Sequence, residues 1–124
     1  MAPSVLDVGQ CNPDHSSISQ LLKRHFSASV DRAQYADEAI RLAGEKAYDL
    51  ILINRILDAD GSEGLPILDQ LKSNPATQGI PVMLVSNFTD AQSTAVSRGA
   101  EAGFGKNSLR DPATVERLSP FLEK

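Results

Sequence analysis

The sequence predicts a single α/β domain, a doubly wound parallel sheet of five strands with helices on both faces. Three observations lead there. Short apolar runs alternate with amphipathic stretches along the whole chain, the pattern expected of a parallel sheet covered by helices. The strongest run, Tyr48-Asp49-Leu50-Ile51-Leu52-Ile53-Asn54, is nearly continuous in its apolar residues, as a strand buried on both faces must be. Finally, 124 residues suffice for one core and are too few for two ordinary ones, so one domain over 1–124 is expected.

The elements follow in order. Residues 4–9 form the first strand, stopped by Cys11-Asn12-Pro13-Asp14. There Asn12 is suited to cap a helix and Pro13 to its first turn, where a backbone N–H has no partner to lose. That helix gathers Ile18, Leu21, Leu22 and Phe26 on one face. A short strand at 29–31 precedes a helix over about 36–45 that puts Ala39, Ile40 and Ala43 together. The strand at 48–54 is central, and Asp58-Ala59-Asp60-Gly61-Ser62-Glu63-Gly64 is a loop by composition. An amphipathic helix over about 65–73 comes next, then an apolar strand at 80–86 with Pro81 near its start. Asn87-Phe88-Thr89-Asp90 leads into a helix that runs through about Val96, and the last strand lies near 102–105. Asp111-Pro112 repeats the cap-then-proline signal and opens a final helix toward Leu122, which Pro120 should kink or end.

Charge and composition narrow the function. A net charge of -4 with scattered basic residues lacks the electrostatic footprint of a nucleic-acid binder. One cysteine permits neither an intrachain disulfide nor a cysteine-based zinc cluster, which suits a reducing compartment, so a cytoplasmic location is expected. No apolar run approaches membrane-spanning length and no basic leader precedes an apolar segment, so neither export nor membrane anchoring is expected.

In doubly wound sheets the functional crevice lies beyond the carboxyl ends of the strands, where the winding direction switches. Here that brings Gly9, Gln10, Asn54, Ser86 and Lys106 to one place. These segments, taken in order over essentially the whole chain, resemble the receiver domains of bacterial response regulators. Asp49-Leu50-Ile51-Leu52-Ile53-Asn54 is similar to the strand that ends in the phosphate-accepting aspartate, with Asn54 at the acceptor position. Asp60-Gly61 is similar to the Asp-Gly that often follows. Ile80-Pro81-Val82-Met83-Leu84-Val85-Ser86 resembles strand four with the Ser or Thr that follows it, here Ser86, and Gly99-Ala100-Glu101-Ala102-Gly103-Phe104-Gly105-Lys106 the segment that delivers a lysine, here Lys106. The resemblance implies a flavodoxin-like (βα)5 fold with strand order 2-1-3-4-5 and a role in two-component signalling.

The departures from that pattern carry the functional expectation. Gly9-Gln10 stands where the family has an acidic pair, and shifting the match by one residue supplies no acid either. Asn107 replaces the usual proline after the lysine. Gly103 sits at the usual spacing of the switch aromatic, with Phe104 the nearest candidate. Aspartyl phosphorylation needs a carboxylate nucleophile and a magnesium ion held by anionic oxygens. The Asn54 amide is no such nucleophile, and the charge around the site falls from about -3 to zero. A degenerate pseudo-receiver is therefore expected, without phosphorylation at position 54, magnesium or another cofactor.

Other residues admit plainer readings. Asn54 also suits a turn at a strand end. Lys106, without the acids, needs a partner such as Asp58 or Asp60, or water; alternatively it forms an anion site with Ser86 and the first N–H groups of the first helix. Asp7 lies inside a strand, where it either faces an edge or meets a basic group. His15 and His25 lack metal spacing and should lie at or near the surface. Cys11 reads as a turn residue, and Asp58-x-Asp60-Gly61 with Glu63 lacks the ligand set of a calcium loop.

The sequence admits three functions. The first is a non-catalytic signalling module that binds proteins, whether a histidine kinase, another regulator or a copy of itself. By the resemblance, it would do so through a face that includes Thr94, Arg98, Phe104 and Asn107. The second is a small-anion sensor using Lys106 and Ser86. An enzyme is the weakest, because the sequence shows no nucleophile with its base, no metal cluster and no phosphate-cradling glycine fingerprint.

Overall fold

A computed structural model describes residues 2–123; Met1 and Lys124, the ends of the expected domain, lie outside the described residues. The chain alternates strand and helix: β1 Ser4–Val8, α1 Asn12–Phe26, β2 Ser29–Ala33, α2 Ala36–Glu45, β3 Leu50–Asn54, α3 Leu65–Ser73, β4 Val82–Val85, α4 Thr89–Ser97, β5 Glu101–Phe104 and α5 Pro112–Leu122. A 3-10 turn, Lys106–Ser108, links β5 toward α5. The strands form one parallel sheet in the order β2-β1-β3-β4-β5, as the resemblance implied.

Period-two alternation divides the core between the two faces of the sheet. Leu6, Val8, Ile51, Ile53, Val82 and Leu84 meet α2, α3 and Ala95 of α4 on one face. Val5, Leu50, Leu52, Met83, Val85 and Phe104 meet Ile18 and Leu22 of α1 and Leu118 and Leu122 of α5 on the other. All five residues of β3 are buried, which accounts for its apolar run. Each large side chain so buried stabilises the fold by about 1.5–3 kcal/mol relative to exposure.

The helix ends refine the expectations. Asp111 caps α5 by accepting from the Ala113 N–H at 3.0 Å. Asn12, by contrast, is not a cap: it already lies in the first turn of α1, and Cys11 occupies the capping position in extended backbone without a side-chain bond. Pro120 does not end the helix, because α5 continues through it to Leu122. The i−4 carbonyl it leaves unpaired belongs to exposed Glu116, where water is available. Between β4 and β5 the register slips: Met83 pairs with Glu101 but Val85 with Phe104, so β5 spends one extra residue there.

Candidate functional site

The crevice at the carboxyl ends of the strands has a volume of about 430 Å³ and is lined by Cys11, Asn54, Leu57, Ser86, Phe88 and Lys106 among others. Asn54, Ser86 and Lys106 are thus brought together as the sequence suggested. Gly9 and Gln10 do not line it. Gln10 is buried at 2% exposure, and its carbonyl accepts from Arg32 at 3.0 Å.

Gly9 follows β1 with φ +79°, a conformation that favours glycine. Its N–H donates to the Ala33 carbonyl at 2.8 Å, and its own carbonyl accepts from the Asp58 N–H at 2.9 Å. The same carbonyl accepts from Asn54 Nδ2 at 3.0 Å, so the Asn54 amide ties the end of β3 to the end of β1. A Cβ at position 9 would lie 2.7 Å from Leu57 Cγ, and Leu57 is fully buried. An apolar side chain therefore packs against the turn at which the resemblance expects acids. Gly64 opens α3 under a similar constraint, since a Cβ there would lie 2.2 Å from the Asn54 carbonyl oxygen.

Ser86 Oγ accepts from the Phe88 N–H at 3.1 Å, which engages the hydroxyl in the turn before α4. Lys106 Nζ lies 2.8 Å from Asp14 Oδ2 on α1. The expected partners Asp58 and Asp60 are thus replaced by Asp14, because α1 passes beside the β5 end while Asp60 accepts from Ser62 within its own loop. Lys106 in turn holds the Asp14 carboxyl below its ordinary range. Across the mouth, the Arg55 guanidinium stacks on the exposed Phe88 ring, 4.9 Å from its centre.

Asp7 finds the basic group that its place in β1 demanded. It is fully buried, and His15 Nδ1 of α1 lies 2.7 Å from its Oδ2. His15, expected simply near the surface, is half-buried because it reaches down to this carboxyl; His25 is exposed. Burial pushes the Asp7 carboxyl up to about 6, against the opposing pull of His15.

The proposed face also needs correction. Phe104 is 4% exposed and packed in the core beside α1 and α5, so it offers no contact surface. Asn107 is exposed, with its N–H donating to Asn87 Oδ1 at 3.0 Å. Thr94 bonds back to the Asp90 carbonyl of its own helix, and Arg98 reaches across to Asp69 on α3 at 3.1 Å. The sequence reasoning missed Gln92, whose amide spans the β4 and β5 backbones. Its signal was a polar residue one turn before Ala95, the inward position of α4.

No family model matches the chain. Over 103 residues it is 28% identical to a gliding motility regulatory protein of Myxococcus xanthus, a match that covers 83% of this chain but only 13% of that protein. The signal receiver domain of a DNA-binding response regulator from Colwellia psychrerythraea superposes with a TM-score of 0.76 at 27% identity, covering 95% of this chain and 98% of that one. A CheY-like receiver domain protein from Methanospirillum hungatei gives 0.73 at 17% identity, with 94% of each chain covered. NtrX from Brucella abortus gives 0.74 at 23% identity, matching 94% of this chain and 26% of its own length. The chain therefore has the flavodoxin-like fold of the response regulator receiver domains of two-component systems.

Proposed function

We propose that this chain is a receiver-type signalling module that acts through protein contacts without aspartyl phosphorylation, and that it is not an enzyme. The observation that carries this reading is the bond from the Asn54 amide to the Gly9 carbonyl, with Leu57 packed against the same turn. An amide engaged as a donor is no nucleophile. The donor set also fits a magnesium ion poorly: Asp58 is the one carboxylate among the crevice-lining residues, and a hard cation gathers several anionic oxygens. The charge of Lys106 is offset by Asp14, which leaves little for a small anion at that point.

The partner is a signalling protein: a histidine kinase, a second regulator or a copy of this chain. Receiver domains occur in both a DNA-binding response regulator and a signal transduction histidine kinase among the similar structures, so the fold serves in either context. No described helix is long and apolar enough to cross a membrane.

The test is amide NMR before and after adding magnesium with beryllofluoride, a stable mimic of an aspartyl phosphate. The resonances of Asn54, Ser86 and Lys106 are expected to stay in place. Saturable shifts of the crevice together with α4 would show a surviving phosphorylation switch and overturn the proposal.

A further inference from the structure

We propose that Gln92 locks α4 onto the β4–β5 edge, so that the surface carried by α4 and β5 is held in one preset conformation. This inference is independent of whether position 54 accepts phosphate.

The extra residue on β5 opens a gap in the ladder between the Met83–Glu101 and Val85–Phe104 pairs. At that gap the Gly103 N–H calls for an acceptor, and the Leu84 carbonyl, with two lone pairs, has room for a further donor. The Gln92 carboxamide provides both. Its Nε2 donates to the Leu84 carbonyl at 2.8 Å and to the Ser86 carbonyl at 3.2 Å, while its Oε1 accepts from the Gly103 N–H at 3.0 Å. A carboxamide has the donor and acceptor pattern of a peptide group, so the side chain adds a rung across the bulge.

Gly103 permits this close approach. A Cβ there would lie 2.1 Å from the Leu84 carbonyl oxygen and 3.0 Å from Gln92 Oε1, so a side chain at position 103 would displace the bridge. From the other side, the Arg117 guanidinium of α5 donates to the Gly103 carbonyl. One short stretch of β5 is thus bonded to both helices that flank it.

Little else anchors α4. Ala95 is its one buried residue and Ala91 packs partly buried against the same core, and two methyl groups are a small apolar anchor for a helix. Its ion pair from Arg98 to Asp69 is exposed at both ends. The three bonds made by Gln92 are therefore the main polar tie that fixes the position and orientation of α4.

The experiment uses the whole chain labelled with nitrogen-15, as wild type and as Gln92→Ala. Hydrogen exchange is followed at the Gly103 amide and relaxation dispersion along α4. In the wild type, the Gly103 amide should be protected like the central strands, and α4 should show no microsecond-to-millisecond exchange. In Gln92→Ala, Gly103 exchange should accelerate about ten- to hundredfold and α4 should gain exchange, while β1 and β3 keep their protection. Either a Gly103 amide that exchanges in the wild type as fast as the exposed loop at 58–61, or a variant indistinguishable from wild type at Gly103 and α4, would overturn the lock. A uniform loss of protection through the sheet would overturn it too. If Gln92→Ala does not fold, the wild-type measurement decides alone.

Discussion

At Asp7, burial and charge pull in opposite directions. Its carboxyl is raised from 3.8 to about 6, chiefly by desolvation, so the folded state holds this proton more tightly than the unfolded chain does. The resulting stabilisation is full below about pH 3.8 and is lost as pH rises through about 6. Asp7→Asn keeps a hydrogen-bonding group toward His15 and removes the buried charge. It should be more stable than wild type at neutral pH by about 1–3 kcal/mol, a difference that shrinks toward acid pH. Urea denaturation of both proteins at several pH values reads this directly; a variant less stable at neutral pH would mean that the ion pair outweighs desolvation. Asp14 and Asp31 have the opposite sign. Their carboxyls are lowered, by Lys106 in one case and by Lys46 and then Tyr48 in the other, so their contribution is lost as pH falls.

Asn54 provides the second test at this scale. Asn54→Asp would replace the donor facing the Gly9 carbonyl by a carboxylate oxygen, costing about 1–3 kcal/mol. Thermal unfolding should show the loss, and incubation with a small-molecule phosphodonor and magnesium should leave the variant unlabelled; a stable, labelled variant would refute this account of the site. The sequence made Asp7 visible as a charge in the wrong place, but its partner was hidden. Whether residue 15 reaches residue 7 depends on how α1 lies over β1, and no local pattern specifies that.

For whole elements, the helices and strands were legible and their joints were not. Apolar periodicity placed α2 and α3 at their observed bounds, because in both the buried stripe and its flanking turns coincide. Capping chemistry was less transferable: Asp111-Pro112 and Asn12-Pro13 look alike, yet only Asp111 caps. The β5 edge was the least legible, since a bulge leaves no mark in a strand of four residues that contains Gly103. Gly103→Ala is expected to destabilise the protein by more than about 2 kcal/mol, because its Cβ meets backbone that cannot move without breaking the Gln92 bridge. Equal melting temperatures for variant and wild type would remove that constraint. Lys106, by contrast, joins the turn after β5 to α1 through a pair about 30% exposed at each end. Lys106→Met should cost less than about 1 kcal/mol and more at low salt than at high, which denaturation at two ionic strengths will show.

Over the whole molecule, one sheet supplies both halves of the core, so neither face can lose its helices without exposing strands shared with the other. Unfolding should be a single cooperative transition. The chain has no tryptophan and two tyrosines, and buried Tyr48 packs in the α2–α3 half of the core, so tyrosine fluorescence reports that half and far-UV circular dichroism reports the whole. Coincident curves are expected; separated ones would show that the two faces melt apart. Fold and strand order could be inferred because alternation along the chain and the order of crevice segments are properties of sequence. The interior of the crevice could not, because it depends on where the loop after β3 folds back.

That fold-back couples three positions into one mutational unit. With Leu57 against the Gly9 turn, and Gly9 itself in left-handed backbone, an aspartate introduced at position 9 collides before it can contribute any charge. Trimming Leu57 first would open a cavity, and changing Asn54 first would break its tie to Gly9. Effects at 9, 54 and 57 are therefore strongly non-additive, and the order in which substitutions are made determines which intermediates fold. An acidic pocket can be rebuilt here only by concerted redesign, not one residue at a time.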